Sequence, residues 1–392
     1  MNISRVVVAG GGLAGLRTIE ALRSRRYAGA VTLVCAERHA PYDRPPLSKE
    51  VLAGGLDDTR LDADFATLGV ELLLGETATG VAEGTLITDR GEHMFDRLVV
   101  ATGSVPVRLP GEGPQRFLRT IDDARAIRDR LNPGLRLAVV GAGWIGAELA
   151  TAAAARGCQV TVVEAGEAPL AAAIGPQAGA QTERWYAAAG VDLRLRTPVE
   201  SVAAGGLVLA GGEQVEADEV VTAVGVRPAV AWLDGSGIKL DNGIAVDEGL
   251  RASMPGVFAA GDCCAFPSRR YRRRLRVEHW DNALHGPEVV AANLLGGNEV
   301  YDPVPYFWSE QFGRMVQYAG NHAGTDRLIW RGDPASEPWS ACWLEGDRLT
   351  AVLAVNRPRD LSQGRRVIAS GSCVDPGRLA DPDVPLRDAV IS

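Results

Sequence analysis

Two glycine-rich segments of this chain have the spacing that cradles a dinucleotide pyrophosphate. Both read G-x-G-x-x-G, the first over residues 10–15 and the second over residues 141–146. In this motif one glycine makes a tight turn, one lets the backbone approach the pyrophosphate, and one lets helix and strand pack closely. The N–H groups that open the following helix then bind the phosphates. The motif glycines are Gly10, Gly12, Gly15, Gly141, Gly143 and Gly146.

Each motif lies between a predicted strand and a predicted helix and is followed by a carboxylate. Glu37 lies 22 residues after Gly15, and Glu164 lies 18 residues after Gly146. Both spacings are near the roughly 20 residues expected for an acid that binds a ribose. A carboxylate accepts hydrogen bonds from free ribose hydroxyls and repels a 2′-phosphate, so Glu164 favours NADH over NADPH.

The two motifs begin 131 residues apart, which indicates a duplication of domain size. Two cradles imply two dinucleotides, and a protein that holds both most simply passes a hydride between them. The sequence therefore predicts an α/β fold with two Rossmann-like domains. Ligands bind beyond the carboxyl ends of strands in such sheets, and three further apolar runs end in candidate contacts. These are Thr102 and Gly103, Gly225, and Asp262, for which a helix N-cap is the alternative.

The length of 392 residues and the composition exclude several classes of protein. At about 150 residues per domain, the length predicts two or three domains. The 46% of hydrophobic residues excludes a disordered chain, and the net charge of −8 argues against a dedicated nucleic-acid binder. The apolar segment 137–155 contains Glu148 and three motif glycines, so we predict a strand, a turn and a helix rather than a membrane span.

The cysteines and histidines predict no metal site. Six cysteines occur without a C-x-x-C pair, and five histidines are scattered, so sequence neighbours form neither a zinc ribbon nor a thioredoxin-like centre. So few cysteines in a long chain, with no visible signal peptide, indicate a cytoplasmic protein.

Several segments together give the chain a family resemblance. It resembles the FAD-dependent pyridine nucleotide oxidoreductases with two dinucleotide-binding domains, in the ferredoxin reductase branch. The resemblance implies an FAD domain (1–108 and 232–307), an NADH domain (109–231) and a C-terminal α+β domain (308–392). It rests on PYDRPPLSK (41–49), FLRT (117–120), GAGWIGAE (141–148), AAGD (259–262) and VPYFWS (304–309).

The resemblance also implies roles for individual residues. Lys49 and Glu148 form a catalytic pair that positions the nicotinamide, and the Lys49 ammonium stabilises charge on the reduced flavin; a structural ion pair is the alternative. The second glycine motif, with Trp144 and Ile145, holds NADH. The expected FAD contacts are Gly12, Leu13, Ala14, Glu37, Arg44, Lys49, Ala78, Arg119, Asp262, Glu278, Trp280 and Trp308. Core packing is the alternative for the tryptophans, and a surface ion pair for Arg119.

The absence of cysteine from residues 41–49 predicts how electrons leave. Disulfide reductases of the superfamily have a redox-active cysteine pair just after the first acid, whereas the nearest cysteine here, Cys35, is predicted to be buried in a strand. Without thiol chemistry, a one-electron acceptor such as an iron–sulfur ferredoxin is the natural partner. We therefore predict an NADH:ferredoxin reductase that supplies an oxygenase. The alternatives are a reductase of a small organic acceptor, as in monodehydroascorbate reductases, and an NADH-responsive flavoprotein resembling apoptosis-inducing factor.

Two further features bear on partners and coenzyme. Residues 269–276 contain six arginines, which predict either a docking site for an acidic ferredoxin or a solvated hairpin. Relatives usually have an arginine a few residues after the acid of the second motif, but Ala168 stands there in this chain. Cys263 and Cys264 are predicted to be buried.

Overall fold

The computed structural model describes residues 3–391, and these form two compact units. The first unit contains the residues up to Asp43, together with Arg60–Val105 and Arg227–Pro305. The second unit contains Arg44–Thr59, Pro106–Val226 and the residues from Tyr306 onward.

The strands are, in chain order, β1 (Arg5–Ala9), β2 (Ala30–Cys35), β3 (Val70–Leu74), β4 (Ala78–Ala82), β5 (Thr85–Thr88), β6 (Glu92–Met94), β7 (Arg97–Val100), β8 (Ser104–Pro106), β9 (Arg136–Val140), β10 (Gln159–Val163), β11 (Asp192–Arg194), β12 (Val199–Ala203), β13 (Gly206–Leu209), β14 (Gln214–Glu216), β15 (Glu219–Thr222), β16 (Val226–Pro228), β17 (Ile244–Ala245), β18 (Val257–Ala259), β19 (Cys264–Ser268), β20 (Arg273–Arg276), β21 (Tyr306–Gln311), β22 (Arg314–Gly320), β23 (Arg327–Arg331), β24 (Trp339–Glu345) and β25 (Arg348–Val355). The α-helices are α1 (Leu13–Ser24), α2 (Glu50–Ala53), α3 (Ile121–Arg128), α4 (Trp144–Ala155), α5 (Ala171–Ile174), α6 (Pro176–Ala180), α7 (Glu183–Ala188), α8 (Trp280–Leu294), α9 (Pro358–Ser370) and α10 (Pro376–Ala380).

A parallel sheet forms the centre of the first unit, with strand order β18-β7-β1-β2-β3. Its inner strands are continuous runs of buried valine and leucine, as expected for a parallel sheet covered on both faces. Ala9 lies opposite both Val34 and Val100, and Val100 also lies opposite Ala259. The register therefore brings the carboxyl ends of four strands to one edge of the sheet.

The second unit repeats this arrangement in a smaller parallel sheet, with strand order β11-β10-β9-β15. Val140 lies opposite Val163 and Thr222, so the strands that lead into the second glycine motif and into Glu164 end side by side. Residues 136–155 form β9, a turn and α4, as predicted. Within the described range, 3–391, the structure contains no helix with both the length and the hydropathy that a membrane span requires.

The C-terminal part of the second unit is an antiparallel sheet with strand order β21-β22-β25-β24-β23, against which α9 packs. Strand β25 is buried along almost its whole length because both of its neighbours and α9 cover it. The predicted fold class, two Rossmann-like sheets followed by an α+β domain, is confirmed. The predicted domain boundaries stay a prediction.

Candidate cofactor-binding and catalytic sites

The first glycine motif, in the first unit, has two crowded glycines and one open glycine. A Cβ on Gly10 would lie 2.1 Å from the Ala101 carbonyl oxygen, and a Cβ on Gly15 would lie 2.0 Å from the Gly10 carbonyl oxygen. The φ angle of Gly10, +123°, also requires glycine. At Gly12 an added Cβ would meet nothing within 4 Å. Packing therefore accounts for Gly10 and Gly15, and the space beside Gly12 fits a pyrophosphate that approaches the backbone.

Helix α1 begins at this loop with its N–H groups uncapped by any side chain. Gly12 is its N-cap residue, and its first turn contains no acidic residue. The first N–H groups of a helix lack partners within the helix and favour an anion. The start of α1, with Leu13 and Ala14, therefore suits the predicted phosphate contact.

Polar groups from the other strand ends lie at the same edge of the sheet. Glu37 follows β2, and its Oε2 accepts a 2.5 Å hydrogen bond from the Tyr42 hydroxyl. A Cβ on Gly261 would lie 3.0 Å from the Cβ of Ala14, so the turn that carries Asp262 approaches the start of α1. The N-cap alternative for Asp262 is wrong, because Asp262 lies inside a single 3-10 turn whose N-cap is Ala260.

Most of the other predicted FAD contacts in the first unit are hydrogen-bonded or ion-paired to residues of the same unit. The Thr102 hydroxyl donates to the Ala229 carbonyl at 2.8 Å, and the Gly103 carbonyl accepts from the Ala229 N–H at 2.9 Å. Trp280 opens α8, and its Nε1 donates to Asp43 Oδ1 at 2.7 Å. Glu278 is ion-paired with Arg276. Ala78 opens β4 and is half-buried.

The cysteines near this motif are buried thiols. Cys35 is 1% exposed, and a Cβ on Gly11 would lie 2.2 Å from its Sγ, so the sulfur packs directly against the glycine loop. Burial raises the pKa of Cys35 to about 12 and the pKa of Cys263 to about 11, and it raises the pKa of Cys264 as well. All three thiols therefore stay protonated at neutral pH, as expected for buried small hydrophobes.

The second glycine motif, in the second unit, also has two crowded glycines and one open glycine. A Cβ on Gly141 would lie 2.6 Å from the Ala223 carbonyl oxygen, and one on Gly146 would lie 1.9 Å from the Gly141 carbonyl oxygen. At Gly143, the N-cap of α4, an added Cβ would meet nothing within 4 Å. This loop therefore fits a second pyrophosphate.

The Glu164 carboxylate is fixed against this second loop. Its Oε2 accepts from the Ala142 N–H and its Oε1 accepts from the Gly166 N–H, each at 2.7 Å. Each oxygen keeps a lone pair for a ribose hydroxyl. The geometry suits the predicted ribose contact.

The remaining predicted NADH contacts differ in their surroundings. The Trp144 ring packs edge-on against Phe307, with the ring centroids 4.3 Å apart. Ile145 is 41% exposed. Gly225 has a φ of +107°, and its carbonyl accepts from the Val107 N–H at 3.0 Å.

Lys49 and Glu148 form a nearly buried ion pair within the second unit. Lys49 Nζ lies 3.0 Å from Glu148 Oε1, with 13% of the lysine side chain and 4% of the glutamate side chain exposed. From its spacing, two residues after Gly146, Glu148 is predicted to lie in the first turn of its helix, and this prediction is wrong. Helix α4 begins at Trp144, so Glu148 lies in its second turn, and the first turn contains no acid.

Three residues that the sequence did not identify complete this pair. The Ser48 hydroxyl donates to Glu148 Oε2, and the Ser309 hydroxyl donates to Glu148 Oε1 at 2.7 Å. Gln311 Nε2 donates to Ser309 Oγ at 3.0 Å. Residues two apart on a strand share a face, so the polar residues at 309 and 311 in β21 were a usable signal.

The other predicted FAD contacts belong to the second unit. An Arg44 guanidinium nitrogen donates to the Arg119 carbonyl, and the Arg119 N–H donates to Asp123 at 3.2 Å. The Trp308 ring stacks on Tyr306, with centroids 6.1 Å apart. The Arg44–Arg119 hydrogen bond therefore joins two of the segments that carry the family resemblance.

The arginine-rich segment is a hairpin formed by β19 and β20. Three of its arginines are ion-paired with acids of the same unit: Arg269 with Glu248, Arg274 with Asp241, and Arg276 with Glu278. Arg272 and Arg273 are exposed at the tip of the hairpin. The positive charge available to a partner is thus smaller than the sequence suggests.

Family models and known proteins match this chain over most of its length. Residues 4–286 match the family model for pyridine nucleotide-disulphide oxidoreductases, and residues 306–390 match the model for a reductase C-terminal domain. The chain is 37% identical to the anthranilate 1,2-dioxygenase system ferredoxin–NAD(+) reductase component of Burkholderia cepacia, over 99% of both chains.

Two crystal structures are similar over nearly the whole chain. Fdr9 is 49% identical, with a TM-score of 0.95 over 98% of this chain and 99% of that one. The covalent putidaredoxin reductase–putidaredoxin complex contains a chain that is 33% identical, with a TM-score of 0.95 over 98% of both chains. With both family models matched, and relatives of this identity aligned from end to end, the chain belongs to the pyridine nucleotide-disulphide oxidoreductase family.

Proposed function

We propose that this chain is an NADH-dependent ferredoxin reductase. It takes a hydride from NADH onto FAD and passes single electrons to an iron–sulfur ferredoxin that supplies an oxygenase. The observation that carries the proposal is the pair of glycine loops, each with one open glycine before an uncapped helix. The similarity to the ferredoxin–NAD(+) reductase component of a dioxygenase system supports the assignment of the electron acceptor.

The residues of each loop supply the cofactor contacts in this proposal. Bound FAD accepts two electrons with a hydride and releases them one at a time. The first loop and the start of α1 hold its pyrophosphate, and Glu37, oriented by Tyr42, accepts hydrogen bonds from its ribose. The second loop and Glu164 do the same for NADH.

Lys49 and Glu148 are the proposed catalytic pair. A lysine ammonium stabilises negative charge that develops on a reduced flavin. Glu148 fixes the position of that ammonium, and a carboxylate that is 4% exposed is tolerated because Lys49, Ser48 and Ser309 all donate to it. Ser48, Ser309 and Gln311 act as positioning residues, since they contact Glu148 directly or through one hydroxyl.

Electron exit proceeds without sulfur chemistry in this proposal. Residues 41–49 contain no cysteine, and burial raises the pKa of Cys35 to about 12. A thiol must ionise to act as a nucleophile, so Cys35 takes no part in turnover. A cytoplasmic location belongs to the same proposal, because all six cysteines are free thiols and this is the rule in reducing compartments.

Arg272 and Arg273 are the proposed docking residues for the ferredoxin. Both are exposed at the hairpin tip. An exposed cationic tip raises the encounter rate with an acidic partner in a salt-dependent way.

NADH-dependent cytochrome c reduction by the purified protein, with and without candidate ferredoxins, tests the proposed function. We expect FAD absorption in the purified protein and cytochrome c reduction that depends on an added ferredoxin. Rapid reduction of a small organic acceptor without ferredoxin dependence would favour the monodehydroascorbate reductase-like alternative. Slow reoxidation with NADH-dependent dimerisation would favour the signalling alternative.

A further inference from the structure

Arg196 lies beside the Glu164 loop in the fold, although it is remote from it in sequence. Strands β10 and β11 are parallel neighbours, with Val163 opposite Arg194. The turn after β11 is then bonded to the loop after β10, because Arg196 N–H donates to the Gly166 carbonyl at 2.8 Å and Thr197 N–H donates to the Glu164 carbonyl at 2.9 Å. The loops that follow β10 and β11 are therefore hydrogen-bonded to each other next to Glu164.

The conformation and exposure of Arg196 favour a ligand-binding role. Its φ is +52°, a left-handed value that few non-glycine residues adopt and that often marks a functional position. Its side chain is 71% exposed and lies 3.6 Å from Glu167, which is 56% exposed. Exposed pairs of this kind contribute little to stability, so a ligand can engage the guanidinium at small cost.

Residue 168, in the loop that follows Glu164, is buried and cannot take this ligand-binding role. Ala168 is 2% exposed, and a Cβ on Gly179 would lie 3.4 Å from its Cβ, so the site is packed against α6. Arg196, from the adjacent strand end, supplies a cation beside Glu167, three residues after Glu164.

We propose that Arg196 contacts the adenosine portion of NADH, and that Glu167 keeps its charge from recruiting a 2′-phosphate. This inference rests on the proposed function, because it requires NADH at the second glycine loop. A guanidinium stacks well on an aromatic ring such as adenine. The Glu164 carboxylate is fixed by two N–H groups, and Glu167 adds a second negative charge beside Arg196. A coenzyme with a 2′-phosphate therefore meets two carboxylates and one partly neutralised cation, which selects against it.

Calorimetric titration of the FAD-loaded protein with ADP-ribose and with 2′-phospho-ADP-ribose tests this inference by binding alone. R196A should weaken ADP-ribose binding about two- to fivefold, as expected for the loss of one stacked guanidinium. R196K, which keeps the charge but not the planar group, should also bind ADP-ribose more weakly. E167Q should strengthen binding of 2′-phospho-ADP-ribose relative to ADP-ribose by about threefold or more.

R194A is the matched control, because the Arg194 side chain is paired with Asp192 and Glu213. It should bind both ligands like the unmodified protein. Equal ADP-ribose affinity in the unmodified protein, R196A and R196K would overturn the assignment of Arg196. An unchanged affinity for 2′-phospho-ADP-ribose relative to ADP-ribose in E167Q would overturn the role of Glu167. If the unmodified protein binds neither ADP-ribose nor NADH, the proposed function itself fails. If the unmodified protein binds both and R196A and R196K bind ADP-ribose equally well, only this inference fails.

Discussion

Lys49 Nζ lies 3.0 Å from Glu148 Oε1, and 4% of the glutamate side chain is exposed. The partners are far apart in sequence, and Ser309, farther still, donates to the same oxygen at 2.7 Å. Because burying a carboxylate is costly without donors, this cluster fixes the ammonium of Lys49 in one position.

Replacing Lys49 by alanine should slow flavin reduction by NADH on the order of 100-fold, the usual effect of losing one electrostatic donor. Stopped-flow absorbance of the flavin band measures this rate directly. K239A is the control, since Lys239 is exposed and lies in the first unit. A K49A protein with normal FAD content and an unchanged reduction rate would refute the catalytic role.

Replacing Ser309 by alanine should lower the free energy of unfolding by about 1–3 kcal/mol, because it removes a donor from a buried carboxylate. It also removes the acceptor of the 3.0 Å hydrogen bond from Gln311. Urea denaturation measures the loss, and S336A, at an exposed serine, is the control. S309T keeps the hydroxyl and should recover the rate of flavin reduction. A rate that stays normal in S309A would mean that the hydroxyl does not position the pair.

Replacing Gly12 by alanine should leave the fold intact and weaken FAD binding. The added methyl meets no protein atom within 4 Å, so it occupies the space that we assign to the pyrophosphate. An overpacking cost of about 1–3 kcal/mol corresponds to about 5- to 150-fold in affinity.

FAD titration into the deflavinated protein measures this affinity. G91A is the matched control, because a Cβ on Gly91 also meets nothing within 4 Å and Gly91 lies outside the glycine motifs. Equal FAD affinity in G12A and G91A would contradict the assignment of the first loop.

Turnover should survive thiol alkylation. With the pKa of Cys35 at about 12, about one Cys35 thiol in ten thousand is ionised at pH 8, whereas Cys373 is exposed. Iodoacetamide at pH 8 should therefore modify Cys373, leave Cys35 unmodified and preserve ferredoxin-dependent activity. Mass spectrometry of the alkylated peptides locates the label. Loss of activity in parallel with labelling of Cys35 would show that a thiol participates after all.

Replacing both Arg272 and Arg273 by glutamine should raise the KM for an acidic ferredoxin about three- to tenfold at low salt, because rim charges act mainly on encounter. The effect should shrink as the salt concentration rises. The KM for ferricyanide should not change. R327Q, at an exposed arginine of β23, is the control for the loss of a positive charge. An equal change in the KM for both acceptors would contradict docking at the hairpin tip.

The local sequence was sufficient to predict the two glycine loops. A buried valine strand, a tight turn and a helix start are properties of neighbouring residues, so Gly10, Gly12 and Gly15 could be assigned from spacing alone. The absence of cysteine from residues 41–49 could also be seen in the sequence. The resemblance carried by short motifs predicted the family. The alternation of Ser309 and Gln311 was visible too, but nothing near them in sequence named Glu148 as the group they serve.

Tertiary structure alone decided which distant groups meet. The register of β10 and β11 brings Arg196 to Gly166, and the packing of α4 against β21 brings Ser309 to Glu148. It also decided that Arg269, Arg274 and Arg276 are ion-paired with acids, which a count of charges along the chain cannot reveal. Such contacts depend on strand order and packing, and these are set by the burial of the whole chain rather than by any one segment.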